Sequence, residues 1–278
     1  MFNLSDKVAI VTGGANGIGA EIVKEFLNEG VKYVAILDIN DEAGKGLEKE
    51  LAIKYGEGKV KFFNCDVTKD EQLFGIFDEV MKEFGGIDVV VNNAGIARDT
   101  LELYKKEIEI NFTATVSSTL KAVELMRVDK GGKGGTVINI SSVAGIMQLS
   151  PSVFVYGATK SAVLHFSTCV GKEAYYRHTN VRVITMCFGL TDTEIVTNMN
   201  SFDDIVNEGI KQLVGLHHQQ KILQSSNIAA RGVVQAYNTG SSGSTWLVDN
   251  SKIIDITENV DDSYKVMSKK TVLSEILS

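Results

Sequence analysis

Short, nearly continuous apolar runs alternate with longer stretches of helical period along most of the chain. The runs Val8–Thr12, Tyr33–Asp38, Val60–Asn64 and Val89–Asn92 are followed by runs at 136–141 and 181–187, and by a weaker one at 244–248. Runs that are apolar throughout, rather than alternating, fit strands buried on both faces. Between them the apolar spacing predicts helices near 17–29, 41–55, 70–84, 101–127 and 154–178; in the first of these Ile22, Val23, Phe26 and Leu27 fall on one face. Strand and helix in alternation predict the α/β class, a Rossmann-type, doubly wound parallel sheet of about seven strands with helices on both faces. The segment 194–225 has Ile195, Val196, Met199, Phe202, Ile205, Val206, Leu213 and Leu216 at amphipathic spacing. Residues 250–278 are polar and partly acidic, and are expected either to wrap a partner subunit or to fray.

The first run leads into Gly13-Gly14-Ala15-Asn16-Gly17-Ile18-Gly19, which opens the first helix. A strand, a glycine turn and a helix make a phosphate cradle. Glycines let the backbone approach a pyrophosphate, and the helix start supplies free N–H groups and partial positive charge. The spacing Gly-x-x-x-Gly-x-Gly differs from the commoner Gly-x-Gly-x-x-Gly. The second run ends at Asp38, nineteen residues after Gly19. A carboxylate there can accept hydrogen bonds from ribose hydroxyls and would repel a 2′-phosphate. Neither Asn16 nor Ile39 is basic, so NAD is expected rather than NADP.

Tyr156 and Lys160 are four residues apart in a predicted helix and so lie on one face. A neighbouring ammonium favours an ionised phenol. Lowering a phenol from about 10 by about 3 units takes roughly 4 kcal/mol of differential stabilisation.

Further motifs join these. Asn92-Asn93-Ala94-Gly95 closes the fourth run, Cys65-Asp66-Val67 closes the third, Asn111 stands in Ile110-Asn111-Phe112, and Asn139-Ile140-Ser141-Ser142-Val143-Ala144-Gly145 closes the fifth. In their order, over roughly residues 5–195, they resemble the short-chain dehydrogenase/reductase family. The resemblance implies a single domain over 1–278. It also implies a catalytic set of Asn111, Ser142, Tyr156 and Lys160, with Lys160 lowering the tyrosine pKa and binding the nicotinamide ribose, and Asn111 holding a water that links Lys160 to solvent. It places adenosine near Cys65, Asp66 and Val67 and beside Asn93, Ala94 and Gly95, with Gly13, Asn16, Gly17, Ile18, Gly19, Asp38 and Ile39 completing that end. The nicotinamide end falls to Tyr156, Lys160, Gly189, Leu190, Thr191 and Thr193. Ser142 is fourteen residues before Tyr156, one more than is usual, and the extra residue is assigned to 148–152. Ser141 is read as a partner of backbone at the strand end.

Within the family the likeness is to insect-type alcohol dehydrogenases and NAD-dependent hydroxyprostaglandin dehydrogenases. Val153 stands where the prostaglandin enzymes carry a substrate-binding glutamine, so prostaglandin itself is put in doubt. The family's Pro-Gly is Phe188-Gly189 here, which removes a φ restraint from the turn. The resemblance further implies a substrate lid at about 194–225 and a homodimer built from the helices 101–127 and 154–178, with Val116, Leu120, Val123, Phe166 and Val170 as candidate seam residues. The substrate expected is a lipophilic, secondary alcohol or its ketone or aldehyde, held by Ser142, Val153 and Tyr156, with Met147, Leu149, Phe154, Leu190, Ile195 and Met199 as uncharged walls. The rival is a catalytically weak NAD-binding protein with a regulatory or storage role, suggested by the altered turn and the polar tail.

Composition adds limits. Of 278 residues 44% are hydrophobic, enough for a large core, and a net charge of −7 argues against a nucleic-acid partner. Cys65, Cys169 and Cys187 lack zinc or Cys-x-x-Cys spacing and are read as reduced core residues. No leader peptide is visible in the first residues, and no apolar run reaches the ~18 residues of a membrane helix. The cytoplasm is therefore expected. The adjacent His217 and His218 would point apart on a helix, and no metal site is expected.

Overall fold

The computed structural model describes residues 1–149, 153–220, 223–269 and 271, without the side chains of 217–220. Residues 150–152, within the span expected to hold the extra residue before Tyr156, fall outside the described residues, as do the His217 and His218 side chains and residues 272–278.

In chain order the elements are β1 (Val8–Thr12), α1 (Gly17–Asn28), β2 (Tyr33–Asp38), α2 (Asp41–Tyr55), β3 (Val60–Asn64), α3 (Asp70–Phe84), β4 (Val89–Asn92), β5 (Arg98–Asp99), α4 (Tyr104–Ile108), a π-helical turn (Glu109–Thr113), α5 (Ala114–Met126) and β6 (Gly135–Ser142). There follow α6 (Phe154–Val170), α7 (Glu173–Thr179), β7 (Val181–Phe188), α8 (Glu194–Thr197), β8 (Asn200–Ser201), α9 (Asp204–Gln220), α10 (Ser226–Thr239), β9 (Thr245–Asp249), β10 (Lys252–Asp255) and α11 (Thr257–Ser268).

The main sheet has eight strands among the described residues, in the order β10-β9-β7-β6-β4-β1-β2-β3. All its neighbours run parallel except β10, which turns back antiparallel on β9. The chain therefore leaves β1 in one direction to β2 and β3, and in the other to β4 and β6. At this switch point the loops separate and leave a crevice beyond the strand ends. Thr12 pairs with Asn92 in register, so β1 and β4 end side by side at its mouth.

Two cores flank the sheet. One joins Val11, Ile36, Ile138 and Ile184 to Ile22 and Phe26 of α1 and Val233 of α10; the other joins Ile10, Leu37 and Val90 to Phe77 of α3 and Ala122 of α5. Residues i and i+1 of a strand point to opposite faces, so runs such as Val8–Thr12, buried throughout, supply both cores at once.

Several expectations need correction. The sheet gains an eighth strand because residues 252–255 hydrogen-bond to β9, and α11 then folds over the same strand. The tail is thus built into the sheet as far as Asp255 and continues as a helix to Ser268. The helix expected at 101–127 is divided by the π-helical turn, and that at 154–178 breaks where Gly171 and Lys172 separate α6 from α7. Residues 194–220 form the short α8, a strand and α9 rather than one amphipathic helix, and Ile205 is 72% exposed while Val206 and Ile210 are buried. Cys65 and Cys187 are buried as expected, but Cys169 is exposed on α6. Phe188 ends β7 with its ring in the core, so the proline's place is taken by a continued strand.

Candidate functional site

The turn after β1 depends on close backbone approach. Gly13 and Gly17 have φ of +62° and +54°, in the left-handed region that favours glycine. A Cβ on Gly13 would lie 2.8 Å from Ala94 Cα, and one on Gly19 would strike the Gly13 carbonyl and the Asn93 amide. The first turn of α1 carries no acidic side chain, which leaves its N-terminal field free for an anion. Asp38 accepts N–H groups from Ala15 at 3.0 Å and Asn40 at 3.0 Å, so the end of β2 is tied to the glycine turn.

These residues line a cleft of about 460 Å³. Gly13, Asn16, Gly17, Ile18, Asp38, Ile39, Cys65, Asp66, Val67, Asn93, Ala94, Gly95 and Thr193 all border it. Gly19 does not; its missing side chain lets α1 pack against the turn. Sequence reasoning missed Lys106, which also borders the cleft and pairs with Asp66 at 3.2 Å. Its position five residues before Asn111 gave no signal.

A second cleft of about 260 Å³ adjoins the first, with Ile18, Asn93, Gly95, Thr193 and Ile195 common to both. It holds Ser142, Val153, Tyr156, Lys160, Gly189, Leu190 and Thr191, with Met147, Leu149, Val196 and Met199 as apolar wall. Phe154 is not part of that wall; its ring turns outward, 43% exposed, towards Phe202. Nor is the lining uncharged. Asp249 reaches it from the end of β9, where its carboxylate fills the space a side chain on Gly189 would need. The signal for Asp249 was its place at the C-terminal end of a parallel strand, the edge from which the other site residues come.

The two serines separate by geometry. Ser141 donates to the Lys160 carbonyl at 2.7 Å and so fastens β6 to α6. Ser142 donates to the Phe188 carbonyl at 3.3 Å, accepts the Ala144 N–H at 3.2 Å, and lies beside the Tyr156 phenol. Lys160 is buried, donates to the Ile140 carbonyl at 3.0 Å, and stands 5.6 Å from the centre of the Tyr156 ring. Asn111 lines neither cleft. Its carboxamide accepts from Ile96 N–H at 2.9 Å and donates to the Ile96 carbonyl at 2.8 Å and to Thr159 at 3.2 Å. A side chain on Gly95 would lie 3.2 Å from its oxygen and 3.5 Å from Lys160 Nζ.

The electrostatics run against the simplest view of a base. Burial pushes the Tyr156 phenol up to about 12, with Ser142 opposing the rise and the Glu107 carboxyl adding to it. Burial also brings Lys160 down to about 8, against the pull of Glu107 and Cys187. With protein groups alone, Lys160 is not among the groups that move the tyrosine, and burial, which disfavours charge, outweighs the rest.

A switch-point crevice with a phosphate-type turn at one end and a serine, tyrosine and lysine at the other defines a dinucleotide-dependent α/β oxidoreductase. The short chain dehydrogenase profile matches residues 7–204, and the chain belongs to that family. It is 34% identical over 203 residues to 15-hydroxyprostaglandin dehydrogenase (NAD(+)) of Macaca fascicularis, covering 73% of this chain and 75% of that protein. It is 35% identical over 202 residues to alcohol dehydrogenase 1 of Ceratitis capitata, covering 72% and 76%. The crystal structure of the NADPH-dependent 3-quinuclidinone reductase of Rhodotorula rubra shares the fold, with a TM-score of 0.75 and 24% identity over 90% of this chain and 92% of that one. No helix among the described residues is long and apolar enough to cross a membrane, and no group of metal-ligating side chains occurs among them.

The packing at Gly19 gives a test. Gly19→Ala forces the glycine turn apart and should cost about 1–3 kcal/mol of stability, read as a lower denaturant midpoint. Gly75→Ala, at a helical position with open space around it, should leave the midpoint unchanged or raise it.

Proposed function

We propose that this protein is an NAD-dependent oxidoreductase that interconverts a lipophilic, secondary alcohol and its ketone or aldehyde. The observation that carries the reading is the meeting of Ser142, Tyr156 and Lys160 in the second cleft, walled mainly by apolar side chains, which adjoins the cleft that reaches Asp38. The activities of the two relatives named above lend support. When bound, the nicotinamide cofactor would supply the hydride acceptor. Tyr156, as phenolate, takes the hydroxyl proton while the carbinol C–H bond breaks and the C=O bond forms. Ser142 donates to the substrate oxygen and balances the charge that develops there. Gly13, Asn16, Gly17, Ile18 and Asp38 would hold the adenosine and pyrophosphate part, and Lys160, Leu190, Thr191 and Thr193 the nicotinamide riboside. Val153 and the apolar wall take the substrate's hydrocarbon. Residues 194–225 act as the lid of a single domain, and the protein works in the cytoplasm. The rival, a weakly active NAD-binding protein, loses its motives, since Phe188 and the tail to Ser268 are parts of the packed fold.

Purified protein with NAD and a series of straight-chain 2-alkanols should form NADH, each added methylene improving binding by roughly 0.8 kcal/mol until the pocket is full. Oxidation should rise with pH as Tyr156 loses its proton. Tyr156→Phe should lower kcat by about 10²–10⁴-fold with NAD still bound, and Ser142→Ala should lower it more than Ser141→Ala. A Tyr156→Phe variant with more than about a tenth of wild-type kcat would remove Tyr156 as the base.

Asp38 decides the cofactor on this reading. Wild-type protein should use NAD with much higher kcat/KM than NADP, and Asp38→Ser should weaken NAD and narrow the gap. Equal kcat/KM for both in the unmodified protein contradicts it.

A homodimer is part of the same proposal, with α5 and α6 at a two-fold axis. Leu120 is 51% exposed, and Val116 and Phe166 are half-buried, so they remain as seam residues; Val123 is buried against the sheet and leaves that set. Light scattering at micromolar concentration should return twice the 30.2 kDa chain mass, and Leu120→Glu should shift it towards the monomer.

A further inference from the structure

Behind the wall that carries Tyr156 lies a pair of acids that the proposed chemistry does not use. Asp99, in β5, is 1% exposed and Glu107, in α4, is fully buried. Asp99 accepts the N–H groups of Val155 at 2.8 Å and of Tyr156 at 3.0 Å, one on each carboxylate oxygen. Both belong to the first turn of α6, where N–H groups lack partners within the helix and the dipole favours a negative charge. The Asp99 carbonyl also accepts the Phe202 N–H at 3.0 Å, and β8 pairs with β5 opposite Asp99. One residue thus joins the start of the tyrosine's helix to the segment over the second cleft.

Glu107 has no comparable set of donors. Its Oε1 accepts the Arg98 N–H at 3.2 Å, while Oε2 is buried with no hydrogen-bond partner. From β5 it is faced by Asp99 and Arg98, and from α6 by Tyr156 and Lys160. Glu109, on the adjoining π-helical turn, is exposed, and the Lys160 ammonium is committed to the Ile140 carbonyl. A carboxylate oxygen without a donor is unfavourable in a dry interior, and two carboxylates in one such site do not both ionise. A single proton removes both difficulties, since protonated Glu107 can donate to Asp99.

We propose that Glu107 and Asp99 share one proton, and that this acid–carboxylate pair is the clamp that fixes the first turn of α6 and so positions Tyr156. Asp99 touches the backbone of Tyr156, and Glu107 acts through Asp99; both are positioning residues. Burial together with the Asp99 charge pushes the Glu107 carboxyl up to about 8, in keeping with a proton held at neutral pH. Loss of that proton in alkali places two negative charges together at the start of α6. The consequence is an alkaline fall in kcat that belongs to the clamp and not to the base. The kinetic consequence rests on Tyr156 being the base, whereas the shared proton does not.

The infrared difference spectrum between wild-type protein and Glu107→Gln at neutral pH reads the proton directly. A protonated-carboxyl band present in the wild type and missing from the variant is expected; no such band overturns the proposal. In wild-type protein the band should bleach as pH is raised, and in Asp99→Asn, which removes the repelling charge, it should bleach at lower pH. An unmoved midpoint overturns it, and this arm stands even where Glu107→Gln does not fold. Among variants, Glu107→Gln still donates to Asp99, so its kcat should exceed that of Glu107→Ala by at least about 10-fold, within the ~10²-fold that a misplaced catalytic group can cost. Its alkaline fall should also be weaker than the wild type's. Equal kcat in the two variants, with an unchanged pH profile, counts against the clamp. Protein that oxidises no alcohol, yet shows the band and its shift, would sink the proposed activity and leave the shared proton standing.

Discussion

Everything the site does depends on two strands that end side by side and are kept from closing. At the ends of β1 and β4, Thr12 Oγ1 accepts the N–H groups of Asn93 at 3.0 Å and Ala94 at 3.1 Å, while the Asn93 side chain donates to the carbonyls of Thr12 at 3.1 Å and Gly13 at 3.0 Å. One hydroxyl and one carboxamide thus take up the polar groups that the ladder drops when it stops. Without them the split between the loops would leave buried N–H and C=O groups unpaired, which folds rarely tolerate. The glycine turn can then swing to one side and the loop after β4 to the other.

The layer beneath that mouth is polar as well, and it is connected. Asn92 donates to Asn139 at 2.8 Å and to Thr119 at 3.1 Å, and Asn139 donates to Ser167 of α6 at 2.9 Å. Asn111 ties the strand-end loop to Thr159 of the same helix, and Ser141 ties β6 to it through the Lys160 carbonyl. The helix that carries Tyr156 and Lys160 is therefore gripped at several points along its length by carboxamides and hydroxyls, whose geometry is directional, and not only by side-chain packing. Asp99 grips its first turn. Such a helix presents its face to the cleft with little freedom to drift, which is what a site working by position requires.

This explains which features could be read from residues alone. The strands β1, β2 and β4 were legible to the residue because apolar runs buried on both faces leave no ambiguity of period, and β3 because its apolar Val60, Phe62 and Phe63 stand out even with Lys61 and Asn64 exposed at the sheet edge. The glycine turn, Asp38 and the serine, tyrosine and lysine were legible because their chemistry requires particular residue types at particular spacings. β10 was not, since Lys252–Asp255 is an edge strand with one neighbour and little burial, so its sequence is under weak apolar constraint. The division of α4 from α5 leaves no mark in periodicity, because a π-helical turn adds one residue to a pattern that stays apolar on the same side. Glu107 and Asp249 were missed for another reason. A lone acid in a sequence has no signature of burial, and only the packing of separate segments shows that Glu107 lies against Asp99 and that Asp249 borders the second cleft.

The electrostatic balance of the site follows from that same dryness. Burial disfavours an ionised phenol and a charged lysine alike, so protein groups alone hold Tyr156 high and Lys160 low. The Glu107 carboxyl has a part in both balances, adding as a negative charge to the rise of Tyr156 and opposing the fall of Lys160. If Glu107 holds a proton, as proposed, it withholds that negative charge from Tyr156 and can donate to the Asp99 carboxyl at the helix start. On the proposed reading, the balance then tips towards phenolate only when a positive charge enters the second cleft beside Lys160. Proton removal would thereby be confined to protein that already holds its oxidised cofactor, the one state in which the hydride has somewhere to go.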